Sequence, residues 1–412
     1  MTAAVTVVGG AYGEVCSFPR KEIYRGSGGR AAALLSSLGV EVELVTATGP
    51  LLAARFSEIA AVLKYKLTAS VSSGDIWFRY RHPLAQPDIS PASWPTWSGA
   101  PNVEADQMLV FGMLEGRPLS RARRAVYDPQ DGVRSVAYGT NGSTADELAV
   151  VVSYSEGRAI TNKREPEEIA SALLEDPATI VVIVKCGPQG ALVRTATSTD
   201  WVYPFPTTRV YKVGSGDIFS AAFAHAWMVD NLPPIEAAWF ASRMVAAYVD
   251  SGQDRFDAEQ VESFRVEAQF KHRKVGSGGA RSIPDRQIYL AGPFFSTAQQ
   301  WAIDEVRGAL KDMGFKVFSP IHDVGEGPPQ EVAQKDLHGL NSCAVVLALL
   351  DGLDAGTLFE VGYAVAKGIP VVAVAELVPE VALTMLTGTS CHVTDDLTSG
   401  IYAACWKVMG DA

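Results

Sequence analysis

Residues 344–375 limit most sharply what this chain can fold into. Residues 344–350 (Ala-Val-Val-Leu-Ala-Leu-Leu) form an unbroken apolar run with the length and β-branching of a strand buried on both faces. Residues 358–367 read as a short helix stopped by Gly368, and 369–375 as the next strand. This strand–loop–helix–strand unit opens its loop at the carboxyl end of a parallel strand, where open α/β sheets bind ligands. On this spacing Glu360 falls in the first turn of the helix, where unpaired backbone N–H groups and the positive dipole end favour an ionised carboxylate. Asp354 lies six residues earlier, in the loop, within reach of the same spot. An ionised carboxylate at a pocket mouth, with a second acid beside it, suits glycosidic-bond chemistry. The alternative is structural: Glu360 caps the helix, and Asp351 and Asp354 form turns.

A length of 412 residues calls for two domains, and 48% hydrophobic with 20% charged residues suffices for ordinary cores. The net charge of −11 argues against a general nucleic-acid or anionic-membrane surface and leaves room for a local phosphate site. No apolar run approaches a membrane span, and the first ten residues lack the basic start of a signal peptide. The five cysteines are scattered and never form a C-x-x-C pair, so they read as core thiols of a reducing cytoplasm. Neither they nor the six histidines have metal-ligand spacing, and His225 reads as a packing residue of an apolar helix.

From the amino end, residues 5–9 read as a strand ending in Gly-Gly, and 25–30 (Arg-Gly-Ser-Gly-Gly-Arg) as a glycine-rich turn feeding a helix over 31–38. That turn either lets a substrate approach the backbone at Gly28 and Gly29 or simply reverses the chain. Residues 40–46 follow as a strand. The aromatic and proline-rich stretch 71–97 reads as paired strands forming a lid or an oligomer contact, or as a stacking surface for a base. Further strands over 108–112, 125–128, 148–153 and 179–185, with a helix over 166–174, predict a mostly parallel sheet covered on both faces. Gly214, Ser215 and Gly216 precede a helix over 218–229, where converging N–H groups make an anion hole for phosphate. Asp217 there either takes a proton from an attacking hydroxyl or serves as an N-cap.

Residues 259–273 read as a final charged helix and 275–282 as a Gly/Ser linker. The expected division is a first domain over 1–258, the helix and linker over 259–286, and a second domain over 287–412. The second domain opens with a strand at 287–291, a turn at Gly292, Pro293 and Phe294, a helix over 297–313 and a strand at 316–319. The turn and the following helix start could receive a 5′-hydroxyl or 5′-phosphate. Residues 334–340 read as a helix that sets Asp336 just before the central strand. His322, Asp323 and residues 325–329 either close over a ligand or form a plain surface loop.

Tyr289-Leu290-Ala291-Gly292-Pro293-Phe294-Phe295, then Lys335-Asp336-Leu337, then 351–364 resemble the nucleoside 2-deoxyribosyltransferase family across about the last 125 residues. The resemblance implies a Rossmann-like (flavodoxin-like) parallel-sheet domain in which Glu360 attacks the anomeric carbon. It implies further that Asp336 and Asp354 handle the base, Tyr289 holds the nucleophile, and Gly292, Pro293, Phe294 and Gly356 line the substrate. It implies no cofactor for this domain, and self-association, because the family completes its sites across subunits. The asparagine that the family borrows from a neighbour has no equivalent around 383–391, which admits a hydrolase passing the sugar to water.

Residues 26–39, Tyr127-Asp128-Pro129, 185–191 and Gly214-Ser215-Gly216-Asp217 resemble the PfkB (ribokinase-like) sugar and nucleoside kinases across roughly the first 255 residues. This resemblance implies a ribokinase-like α/β sandwich with Asp217 as base, Gly214, Ser215 and Gly216 stabilising the transferred phosphoryl group, and ATP with Mg²⁺ as cofactors. Departures stand at Tyr211, where the family has an aspartate, at Arg30, where it has an asparagine, and at Ser153-Tyr154-Ser155-Glu156, where it has N-x-x-E. Arg30 in a sugar site suggests a negatively charged ligand. The expectation is therefore a two-domain cytoplasmic enzyme acting on nucleosides, nucleotides or sugars, without nucleic-acid or membrane partners. It either cleaves or transfers N-glycosidic bonds, or works chiefly as a kinase, or couples a glycosidase to a kinase-like sensor.

Overall fold

The apolar runs of the first 207 residues converge on one frame. Its strands are β1 (Ala4–Val8), β2 (Gly13–Cys16), β3 (Lys21–Tyr24), β4 (Glu41–Thr48), β5 (Lys66–Val71), β6 (Trp77–Tyr80) and β7 (Asp88–Ser90). They continue with β8 (Val103–Phe111), β9 (Ser120–Asp128), β10 (Thr144–Ser153), β11 (Thr179–Lys185), β12 (Ala191–Thr195) and β13 (Thr199–Val202). A nine-stranded sheet runs β13-β12-β11-β10-β9-β8-β1-β4-β5, parallel from β11 to β5 and antiparallel at the other edge. Residues 3–130, 134–276 and 283–410 are described by this computed structural model. The chain divides into two compact units, Met1–Thr207 with Tyr211–Ala280, and Thr208–Val210 with Arg281–Ala412. Most of the expected linker, residues 277–282, lies outside the described residues.

Strands β8, β9 and β10 extend further toward their amino ends than their apolar halves predict. There the exposed side chains alternate with sheltered ones, and charges pair across strands, Arg121 with Glu104 at 3.2 Å and Arg123 with Asp106 at 2.7 Å. The carboxyl halves are buried on both faces: Met108, Val110, Ala125, Tyr127, Val150, Val152, Val182 and Val184 share the core on one face, and Leu109, Val126, Val151 and Ile183 are buried on the other.

A second, four-stranded sheet runs β3-β2-β6-β7. The chain enters β2 and β6 directly from the carboxyl ends of β1 and β5, so this small sheet stands at the edge where the large sheet opens. The 71–97 stretch thus supplies paired strands, and the short segment before Gly26 supplies two more.

In the first unit, two helix starts differ from expectation by several residues. The Gly26–Ser37 helix begins at Gly26, so Gly28, Gly29 and Arg30 are helical and do not form a turn ahead of it. Gly28 lies against the end of β1: its N–H donates to the Gly10 carbonyl at 2.9 Å, and a Cβ on Gly28 would sit 2.6 Å from the Gly9 oxygen. No substrate can reach that face of Gly28. The Ser215–Ala224 helix begins after Gly214, whose φ of +83° favours glycine, so Asp217 is the third helical residue and not the N-cap.

The second unit is a five-stranded, wholly parallel sheet of β14 (Gln287–Ala291), β15 (Lys316–Phe318), β16 (Val345–Leu349), β17 (Val371–Val374) and β18 (His392–Thr394), in the order β15-β14-β16-β17-β18. This is a doubly wound arrangement whose connection reverses direction between β14 and β16, and the crevice for a ligand opens there. Tyr289, Ala291, Val346, Ala348, Val361 and Ala373 belong to its core. Among the described residues, no helix is long and apolar enough to cross a membrane.

Candidate active sites

At the reversal in the second unit, β14 brings Tyr289 and the Ala355–Ala366 helix brings Glu360. The Tyr289 hydroxyl donates to Glu360 Oε1 at 2.6 Å. Tyr289 is itself fixed by burial and by stacking on Phe318, ring centroids 5.4 Å apart. Glu360 is half-buried, neither sealed in the core nor turned into solvent.

The expected electrostatics of Glu360 need correction. The helix starts at Ala355, with Asp354 as N-cap accepting from the Thr357 N–H at 2.7 Å and its hydroxyl at 3.0 Å. Glu360 is therefore the sixth helical residue, in the second turn, and the helix end serves Asp354 instead. Burial pushes Glu360 up to about 7; the Tyr289 bond pulls it down, and the charges of Asp336 and Asp354 push it further up. Tyr289 is pushed well above a normal tyrosine, first by burial and then by the Glu360 charge.

Asp336 projects from the Pro329–Ser342 helix, with its charge felt by both Tyr289 and Glu360. Burial raises its pKa, and its Oδ1 is buried with no hydrogen-bond partner. A buried carboxyl oxygen in a crevice with no donor leaves a hydrogen bond to be made. Asp354 keeps its capping bonds while standing close enough to influence Glu360. Asp351 accepts from the Leu377 N–H at 2.9 Å, which ties the turn after β16 to the loop after β17.

Of the expected substrate residues here, Gly292 is set between Ile303 and Leu349, where a Cβ would come within 2.8 Å of the Ile303 side chain. Pro293 is buried, and the Phe294 ring lies 5.0 Å from that of Phe295. Gly356 is exposed in the first turn beside the Asp354 carboxylate. Sequence reading missed one chain of polar groups: Ser319 Oγ lies 3.0 Å from His322 Nδ1, and His322 Nε2 lies 2.9 Å from Asp304. Ser319 is fully buried, so this chain fixes the turn after β15.

In the first unit, Asp217 and Arg30 meet. Arg30 is 1% exposed and bonds the carboxylates of both Asp217 and Glu14, while the Gln130 side chain donates to the other Asp217 oxygen. Burial raises Glu14 although Arg30 pulls it down. The positive charge that suggested an anionic ligand at Arg30 is thus consumed within the protein.

A second cluster lies at the carboxyl ends of β9 and β11. Asp128 is wholly buried, bonded by Lys185 at 2.7 Å and Ser220 at 2.6 Å, with its Oδ1 unpartnered. Burial pushes Asp128 up to about 7 against the pull of Lys185. The Lys185 ammonium lies 3.4 Å from where a Cβ on Gly216 would sit, so it faces the amino end of the Ser215–Ala224 helix beside Gly214 and Ser215. Glu156 forms a capping box with Ser153, accepting from the Ser153 N–H at 2.6 Å, and its charge reaches Asp128 and Lys185. The signal available beforehand was a lone charged residue closing each apolar strand run, Asp128 in one and Lys185 in the other. Among the described residues no group of three His, Cys, Asp or Glu could hold a metal ion.

Residues 288–393 match the family model for nucleoside 2-deoxyribosyltransferase, and residues 149–260 match that for the pfkB family carbohydrate kinases. A curated relative described as an ATP-dependent ribose-1-phosphate kinase, from Halopiger xanaduensis, is 34% identical over 109 residues, 21% of this chain and 36% of its own length. The chain thus spans little more than a third of that relative. Among solved structures, phosphofructokinase-2 from Escherichia coli in complex with potassium superposes with a TM-score of 0.50 at 14% identity, over 65% of this chain and 100% of that one. That likeness establishes a ribokinase-like fold for the large-sheet unit.

Proposed function

We propose, for a chain that joins a PfkB carbohydrate kinase domain to a nucleoside 2-deoxyribosyltransferase domain, that the second unit cleaves the N-glycosidic bond of nucleosides or nucleotides by double displacement. The ionised Glu360 carboxylate attacks C1′, the C1′–N bond breaks, and the base leaves with the bonding pair. Asp336 supplies the proton that the departing base takes up, consistent with a carboxyl group that burial holds protonated to higher pH. Water or a second base then attacks C1′ and gives its proton to the Asp336 carboxylate, while the C1′–Oε bond breaks and its electron pair returns to Glu360. Tyr289 orients the nucleophile throughout. The observation that carries this reading is the 2.6 Å Tyr289–Glu360 bond in the crevice, with the unpartnered Asp336 oxygen beside it.

The test is chromatography of free bases released from a panel of nucleosides and 5′-nucleotides. Glu360→Ala is expected to release none while keeping the wild-type circular dichroism. A Glu360→Ala protein that still releases base ends the assignment.

A second reading places an ATP-dependent sugar or nucleoside kinase in the first unit, favoured by the description of the curated relative and by Lys185 at the helix end. ATP phosphates would meet Lys185 and the N–H groups of Ser215 and Gly216, and Asp128 and Glu156 are the carboxylates that would face Mg²⁺. The division of labour, with boundaries near 258 and 287, and self-association of the chain belong to the same proposal.

A further inference from the structure

The Glu14–Arg30–Asp217 set speaks against that second reading. For Asp217 to take a proton, the acceptor hydroxyl must come within hydrogen-bond reach of its carboxylate. The space beside that carboxylate already holds the Arg30 guanidinium, with Gln130 on the other oxygen. The guanidinium also lies flat on the first residue of the phosphate-type loop: a Cβ on Gly214 would be 2.3 Å from Arg30 Nε and Cζ. A guanidinium keeps its charge at every working pH and cannot pass a proton on. To displace it from one carboxylate, a neutral sugar would leave buried charges without partners.

Arg30 also reaches the small sheet, because Glu14 belongs to β2. The Glu14 carboxylate further accepts from the Gly26 N–H at 3.1 Å. Beside this link, Cys16 of β2 and Tyr80 of β6 close an apolar seam against Tyr211 and Val213, the residues just before Gly214, and Lys21 of β3 lies 3.7 Å over the Tyr211 ring. Strands β2, β3 and β6 are thus fastened to the start of the Ser215–Ala224 helix by one ionic and one apolar contact set.

We propose that Glu14, Arg30 and Asp217 form an internal latch. It holds the four-stranded sheet down on the open edge of the large sheet and occupies the place of an acceptor hydroxyl. The first unit therefore does not transfer phosphate from ATP to a sugar or nucleoside through Asp217. This inference is independent of the glycosidic reading of the second unit, and its test leaves base release untouched.

The full chain is assayed by coupled ADP release with ATP, Mg²⁺ and a panel of pentoses, pentose 1-phosphates and nucleosides. The expected result is no acceptor-dependent ADP release by the wild type. Acceptor-dependent ADP release by the wild type overturns the proposal. The latch itself is read by hydrogen exchange in the charge-balanced double variant Arg30→Met with Glu14→Gln. Loss of amide protection over 13–24 and 77–90, with the large sheet still protected, supports it. Unchanged protection in those segments refutes the latch. Should the double variant not fold, Glu14→Gln alone is measured with the same two outcomes.

Discussion

Replacing Tyr289 by Phe isolates one atom of the proposed mechanism. The ring stays buried and stacked on Phe318, so only the hydroxyl that donates to Glu360 Oε1 is lost. That bond is what pulls the Glu360 pKa down; burial and the Asp336 and Asp354 charges all push it up from 4.5 to about 7. A hydrogen bond to a charged group is worth about 1.5–3 kcal/mol, and one pKa unit corresponds to about 1.4 kcal/mol. Losing the hydroxyl should therefore raise the pKa of Glu360 by roughly one to two units. A nucleophilic carboxylate must be ionised, so the rate rises with pH through this pKa, and the acidic limb of the profile moves to higher pH in the variant. Below the wild-type limb, base release should fall roughly ten- to a hundredfold, and much of it should return in alkaline buffer. The assay is the pH dependence of kcat for base release by both proteins. An unmoved limb, or a loss of equal size at every pH, would show that Tyr289 does not act through Glu360.

Asp354 separates capping from chemistry: Asn caps about as well as Asp, whereas Ala costs about 1 kcal/mol of stability. Asp354→Asn should keep the wild-type Tm and lose base release if the carboxylate handles the base; wild-type turnover in that variant would reduce Asp354 to a cap. Glu360→Gln should stabilise the second unit at pH 8 and leave it nearly unchanged at pH 4. The folded chain holds the Glu360 proton up to about 7, against 4.5 for the free group, so stability falls as pH rises through that window. The ceiling on the gain is about 3 kcal/mol; a Tm difference independent of pH would contradict the half-buried, proton-retaining Glu360.

Strands buried on both faces were legible because nothing competes with a continuous apolar run. The 287–291 and 179–185 readings coincide with β14 and β11, and 344–350 overlaps β16 to within one residue at each end. The amino halves of β8 to β10 escaped because their charged residues alternate on a solvated face and look like loop. The start of the Ala355–Ala366 helix escaped because Gly356 suggests a turn, although Asp354 three residues before Thr357 was an available capping signal. Partnerships distant in sequence were not legible from spacing at all. Tyr289 and Glu360 are 71 positions apart and were paired only by family resemblance, and Arg30 reaches Asp217 across 187 positions. Reading Arg30 alone made it a ligand for an anion; only its two buried partners show where the charge goes.

The most direct test is the mass of the peptide that carries Glu360, taken after acid quench during turnover of a nucleoside that yields free base. The account predicts a pentosyl adduct on Glu360 that forms with the released base and is absent from Glu360→Gln. Accumulation of base with the peptide unmodified at every quench time, or an adduct on another residue, would contradict it.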